Sequence, residues 1–367
     1  MHRFAFIVHP LSVSDYYRKY AWMRMLPPSW MESLVARVRP NQVVSEITGV
    51  VSATGEETQG WFIGCPLTAR RLIHGDEKKN LENIIGCAKL AQDIGADIVG
   101  LGAFTSIVGD AGISIAEAVD IGVTTGNSYT VATAMEGALE AARQVGINLA
   151  EAKVTILGAT GSIGQVCARL LAPSVGALSL CARRREALEA LADEIAPYGA
   201  LVQVTTEVNK ALGEADIVIA VTSAVEAVVQ PEMLKPGAVV CDVARPRDVS
   251  RQVADKRQDV LVIEGGAVAV PGNVQFNFNF GFPPRTAYAC MAETMILALA
   301  GKTADYSLGR EIRLGQVREI TELAKVHGFK LAGFRSFERA VTAEQIERVR
   351  IAGGRVAAPI RGAVPDG

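Results

Sequence analysis

From Val154 to Glu264 the chain repeats one pattern: a short apolar run, a glycine turn or amphipathic stretch, then another apolar run. After the first, within "VTILGATGSIGQVCARLL", come "ALSLCA" (177–182), "ALVQV" (200–204), "DIVIAV" (216–221), "AVVCDV" (238–243) and "VLVIE" (260–264). Ile163, Val166, Leu170 and Leu171 follow the first run at helical spacing, and residues 185–195 read as another helix. Apolar strands alternating with crossovers form a parallel sheet covered on both faces. Six of them predict an α/β, Rossmann-like doubly wound domain.

The first 148 residues are mixed α/β. Residues 4–8 read as a buried strand, and "VVSEITGVVSATGEETQGWFIGCP" as a hairpin turning at Thr54-Gly55. "GADIVGLGAFTSIV" reads as a strand entering a glycine-rich loop, and residues 127–145 as a helix leading into the second domain. The expected organisation is a substrate domain over 1–148 and a nucleotide domain over 149–285. A helical segment over 286–352 is expected to fold back on the first domain, with a flexible tail over 353–367.

At 367 residues the chain is long enough for two cores. With 49% hydrophobic and 21% charged residues and a net charge of −2, it reads as globular, with no global basic field for nucleic acid. No apolar stretch reaches membrane-spanning length, and "MHRFAFIVHP" lacks the features of a signal peptide. The six cysteines are scattered without a C-x-x-C pair, so a reduced, cytoplasmic setting is expected and no metal site.

Chemistry enters at the turn Gly158-Ala159-Thr160-Gly161-Ser162-Ile163-Gly164. Small residues let backbone amides approach a pyrophosphate, whose charge the helix N-terminus stabilises. At the end of the second run, where an NAD site commonly carries an acid, stand Arg183, Arg184 and Arg185. Guanidinium groups suit a 2′-phosphate, so NADPH is the expected cofactor, with Thr222 and Ser223 in a short loop over it. The plain alternative is a solvated charge run, which the helix dipole disfavours at that end.

Most cysteines in such a chain are small core residues. Cys87 and Cys167 fall in helices, Cys181 and Cys241 in strands. Cys65, before Pro66, reads as the start of a helix, where a thiolate is stabilised; Cys290 reads as lying farther into its helix. From the residues alone these two remain equal candidates for a nucleophile.

Taken in order, "EITGVVSATG", "GLGAFTSIV", "TTGNSYT", "TILGATGSIG" and "YACMAETM" resemble the aldehyde-forming long-chain fatty acyl-(acyl carrier protein) reductases, over nearly the whole chain to about residue 328. The resemblance implies NADPH-dependent reduction of a fatty acyl thioester to an aldehyde through an acyl-cysteine. It places the nucleophile at Cys290, the cofactor at Gly158, Gly161 and Gly164, and an acyl carrier protein as partner. It also implies stimulation by magnesium, for which no acidic cluster offers a site. Thr105, Ser106, Thr125, Asn127, Tyr129 and Cys65 are candidate pocket residues, against ordinary loop and cap chemistry. The segment "VPGNVQFNFNFGFPP" and a longer C-terminal extension depart from the family pattern. Acyl chain length, oligomeric state and peripheral membrane contact are left open.

Three other readings compete. A shikimate-type dehydrogenase shares the layout and needs a Lys–Asp pair such as Lys78 or Lys79 with Asp110. A glutamyl-tRNA reductase also pairs an acyl-cysteine with NADPH, but its thiol belongs in the N-terminal half and no basic tRNA-binding tract is present. A non-catalytic NADPH sensor would leave Cys290 as core.

Overall fold

The computed structural model describes residues 1–10, 41–244, 246–337 and 339–355. The expected flexible tail lies outside these residues beyond Arg355.

The first half is built on strands β1 (Arg3–Val8), β2 (Gln42–Val51), β3 (Glu57–Gly64), β4 (Ile98–Leu101) and β5 (Gly122–Thr124), with helix α1 (Glu77–Asp93) between β3 and β4. The β2–β3 hairpin closes as expected: Gly55 takes φ +95 and its N–H donates to Ser52 O. Helix α2 (Asn127–Gln144) then crosses to the second half.

There the six apolar runs become β6 (Lys153–Leu157), β7 (Ala177–Cys181), β8 (Leu201–Thr205), β9 (Ile217–Ala220), β10 (Val239–Asp242) and β11 (Leu261–Glu264). They form one parallel sheet in the order β11-β10-β9-β6-β7-β8. This is the doubly wound dinucleotide-binding order, with the strand order reversing beside β6. Helices α3 (Ser162–Leu171) and α4 (Arg185–Ile195) follow β6 and β7.

Past β11 the chain leaves that sheet. Strand β12 (Ala267–Ala269) joins a small sheet, and β13 (Gly272–Gln275) pairs antiparallel with β2, giving the first sheet its order β13-β2-β3-β1-β4-β5. The nucleotide unit therefore ends near residue 264 rather than at the expected 285. The polar sequence GNVQ hides this strand, whose partner is more than 200 residues away.

Strand β14 (Thr286–Tyr288) leads into helix α5 (Ala289–Leu299), which lies against β1, β4 and α2. Gly100 in β4 permits that approach, because a Cβ there would stand 2.1 Å from Thr294 Oγ1. Helix α6 (Leu314–His327) packs on α2 and α5, as the expected fold-back requires. The extension continues through β15 (Lys330–Leu331), paired with β12, to helix α7 (Ala343–Ala352) beside β11.

The first sheet is covered on both faces. Ala5, Ile7, Ile63 and Val99 pack with α1 on one side; Phe4, Phe6, Phe62 and Ile98 pack with α5 on the other. Alternation along the strands produces this division.

Candidate active site

The glycine turn sits at the C-terminal end of β6, where ligands of such sheets bind. Amides of Gly158 and Ala159 donate to Cys181 O, fixing the turn to β7. Gly158 has φ +92, and a Cβ there would lie 2.7 Å from Val221 O; one at Gly164 would lie 2.4 Å from Gly158 O. Gly161 is the N-cap of α3 and supplies no side-chain cap, while Thr160, Ser162 and Ile163 are half-buried around it. Tight packing behind and an open, uncapped helix start in front fit a pyrophosphate.

Arg183 and Arg184 are exposed where β7 ends, and neither forms an ion pair among the described residues; Arg185 is held by Glu189 at 2.8 Å. Across the crevice, Thr222 donates its N–H to Asp248 at 2.8 Å and its hydroxyl to the same carboxylate. Asp248 is fully buried, so it sets the loop holding Thr222 and the exposed Ser223. Sequence reading missed Asp248, because nothing local distinguishes it from a surface acid.

Six thiols are present, and five are buried. Burial pushes Cys167 up to about 12 and Cys181 up to about 11. Cys241 donates weakly to Ala134 O. Cys65 does not start a helix: it follows β3, its N–H donates to Val8 O, and the next helix is capped by Thr68. It shares a hydrogen bond with Cys87, which lowers Cys65 and, together with burial, pushes Cys87 well up. Its side chain belongs to the α1 face of the first sheet.

Cys290 belongs to the opposite face and is the one half-buried thiol. It is the second residue of α5, not farther into the helix as the sequence suggested, because β14 runs to Tyr288 and delays the helix start. First-turn amides stabilise a thiolate at such a position.

Facing Cys290 is the turn between β5 and α2. Gly126 has φ +75, and a Cβ there would lie 2.3 Å from Cys290 Cβ. The structure thus brings the "TTGNSYT" stretch to the thiol. Its hydroxyls are committed: Thr124 donates to Glu293 and Thr125 to Ser307 O. Asn127 and Tyr129 are buried in the first turn of α2, and burial pushes the Tyr129 phenol up. Thr105 and Ser106 close their own turn, donating to Gly102 O and Ala103 O. A ladder of rings, Phe276, Phe278, Phe280 and Phe282, runs from Phe62 to Tyr288, the N-cap residue of α5.

The Lys–Asp pair of a shikimate-type enzyme finds little footing, since Lys79 pairs with Asp76 and Asp110 caps Ser114. No group of three or more His, Cys, Asp or Glu side chains suits a metal among the described residues, so the magnesium expectation gains no support. Nor is any described helix long and apolar enough to cross a membrane.

Comparison with known proteins follows the same division. Residues 140–264 match the family model of shikimate / quinate 5-dehydrogenase. The long-chain acyl-[acyl-carrier-protein] reductase of Synechococcus elongatus is 31% identical over 306 residues, covering 79% of this chain and 87% of that protein. The chain belongs to the long-chain acyl-[acyl-carrier-protein] reductase family. The aminotransferase PigE of a Serratia species is 32% identical over 360 residues, or 95% of this chain, although the chain spans 41% of that protein's length. Among solved structures, L-tryptophan dehydrogenase from Nostoc punctiforme matches over 95% of this chain and 87% of its own, at 13% identity and a TM-score of 0.40. Glutamyl-tRNA reductase from Methanopyrus kandleri matches 53% and 50%, at 20% identity and a TM-score of 0.30.

Proposed function

We propose that the protein reduces a fatty acyl thioester, carried by an acyl carrier protein, to a fatty aldehyde with NADPH. One observation carries this reading. Cys290 alone among the six thiols is half-buried, at a helix start and against a glycine turn in an apolar cluster.

The Cys290 sulfur attacks the thioester carbonyl, forming a new carbon–sulfur bond as the phosphopantetheine thiolate leaves. The first turn of α5 favours the attacking thiolate, and the apolar surroundings keep water from the acyl-cysteine. NADPH, when bound, supplies the hydride that takes the acyl carbon to the aldehyde level. Cys290 then departs as thiolate, ready for another acyl group. The residues that would hold the cofactor are Gly158, Gly161, Ser162 and Ile163 at the pyrophosphate and Arg183 and Arg184 at the 2′-phosphate, with Thr222, fixed by Asp248, beside them. The aromatic ladder beside Tyr288 supports an alkyl rather than a polar acyl group.

Incubating the protein with NADPH and a panel of acyl thioesters, then identifying products, tests the reading. Aldehyde with matched NADPH consumption is expected. Cofactor binding without thioester-dependent oxidation would instead favour the sensor.

A further inference from the structure

Helix α5 carries a single charged residue in eleven, Glu293, and it is fully buried. Its carboxylate accepts the Thr124 hydroxyl at 2.5 Å and the Tyr129 N–H at 2.6 Å. The Gly126 N–H donates to the same Thr124 hydroxyl at 3.2 Å, and the Ser307 hydroxyl to Ser128 Oγ at 2.6 Å. Two short donors converge on the carboxylate, an arrangement that suits an acceptor-only, ionised group. Burial pushes this carboxyl up, and the donors pull it back.

The donors belong to the end of β5 and the first turn of α2, and the Gly126 backbone between them packs on Cys290. Cys290 and Glu293 sit one turn apart on α5. We propose that Glu293 is a positioning residue: it binds the 124–129 turn to the nucleophile's own helix and so fixes the thiol against Gly126. This rests on the reading of Cys290 as the acyl acceptor. The other titratable group facing Glu293 is the Tyr306 phenol, pushed up by burial and therefore neutral through the working pH range; Tyr129 meets the carboxylate through its backbone N–H.

Acylation of Cys290 by palmitoyl-coenzyme A without NADPH, followed by intact mass across pH, tests the proposal. Glu293→Gln removes the charge and one acceptor. Its limiting acylation rate is expected to fall at least tenfold. Its pH midpoint should move down by about one unit, because a nearby negative charge no longer opposes the thiolate. NADPH affinity should stay within twofold. Slower acylation at a lower midpoint marks positioning; an unchanged limiting rate, or a slower rate with no midpoint change, overturns it. Thr124→Val, which deletes one donor hydroxyl, should slow acylation about threefold and carries the test if Glu293→Gln does not fold; a wild-type rate there overturns the proposal. Wild-type protein that gains no acyl mass at Cys290 fails the underlying reading itself, and the proposal with it.

Discussion

Gly126 and Cys290 meet so closely that the glycine could not carry a side chain: an added Cβ would stand 2.3 Å from Cys290 Cβ. Gly126→Ala combines that clash with a φ of +75, a conformation costing about 1–3 kcal/mol for residues with a side chain. The variant is expected to melt several degrees lower and to lose most Cys290 acylation, yet to bind NADPH normally. Thermal unfolding and acyl labelling would show this; wild-type labelling would mean the contact does not set the thiol.

Cys290→Ser should fold, bind NADPH and lose both acyl labelling and turnover. Cys65→Ala is the matching control and should keep both, since Cys65 lies on the other face of the sheet. Acyl mass mapped to Cys65 would reverse the assignment.

Cofactor preference should rest on Arg183 and Arg184. Wild-type protein is expected to bind NADPH more tightly than NADH, and the double alanine variant to lose about tenfold to a hundredfold of that preference. Both side chains are exposed, so the preference should also weaken with salt. Titration with both cofactors decides it; equal wild-type affinities would remove the 2′-phosphate assignment.

The nucleotide half was largely legible in the sequence. Its inner strands β9, β10 and β6 are buried on both faces and read as apolar runs bounded by turns, and residues 185–195 form a helix as the pattern indicates. What escaped has a common physical character. The strand at Gly272–Gln275 is defined by its pairing with β2, not by its own GNVQ composition. Glu293 and Asp248 look like ordinary acids until distant donors fold onto them, and Thr124 is 169 residues from Glu293. For Glu293 one signal was present: it is a lone charge in an apolar helix.

Acidification should reveal the joint between α6 and the β2–β3 turn. His327 Nδ1 lies 2.9 Å from Ser52 Oγ, and burial lowers its imidazole below the ordinary value. The unfolded chain therefore takes up a proton first. The stability present above the ordinary histidine value is lost as pH falls through it toward the folded value. Wild type is expected to lose more melting temperature between pH 7 and 5.5 than His327→Gln. Parallel curves would mean His327 does not contribute.

Partner docking should depend on exposed cations near the first domain's edge. Arg70 and Lys78 are exposed there, flanking the segment between β3 and α1. Charge reversal at both is expected to raise KM for an acyl carrier protein substrate severalfold and flatten its salt dependence, with acyl-coenzyme A less affected. An unchanged KM places docking elsewhere.

During synthesis the ribosome releases these elements in order, and the two halves complete at different times. The parallel sheet of the nucleotide half is contiguous from Lys153 to Glu264 and can close once that stretch has emerged. The first sheet cannot, because its edge strand β13 and its covering helix α5 are made only afterwards. Strands β1 to β5 must therefore wait, with one face bare, while the later half folds beside them. Docking of β13 on β2 closes a loop of more than 200 residues. Helix α5, which seats the thiol, is thus made only after the whole parallel sheet of the nucleotide half.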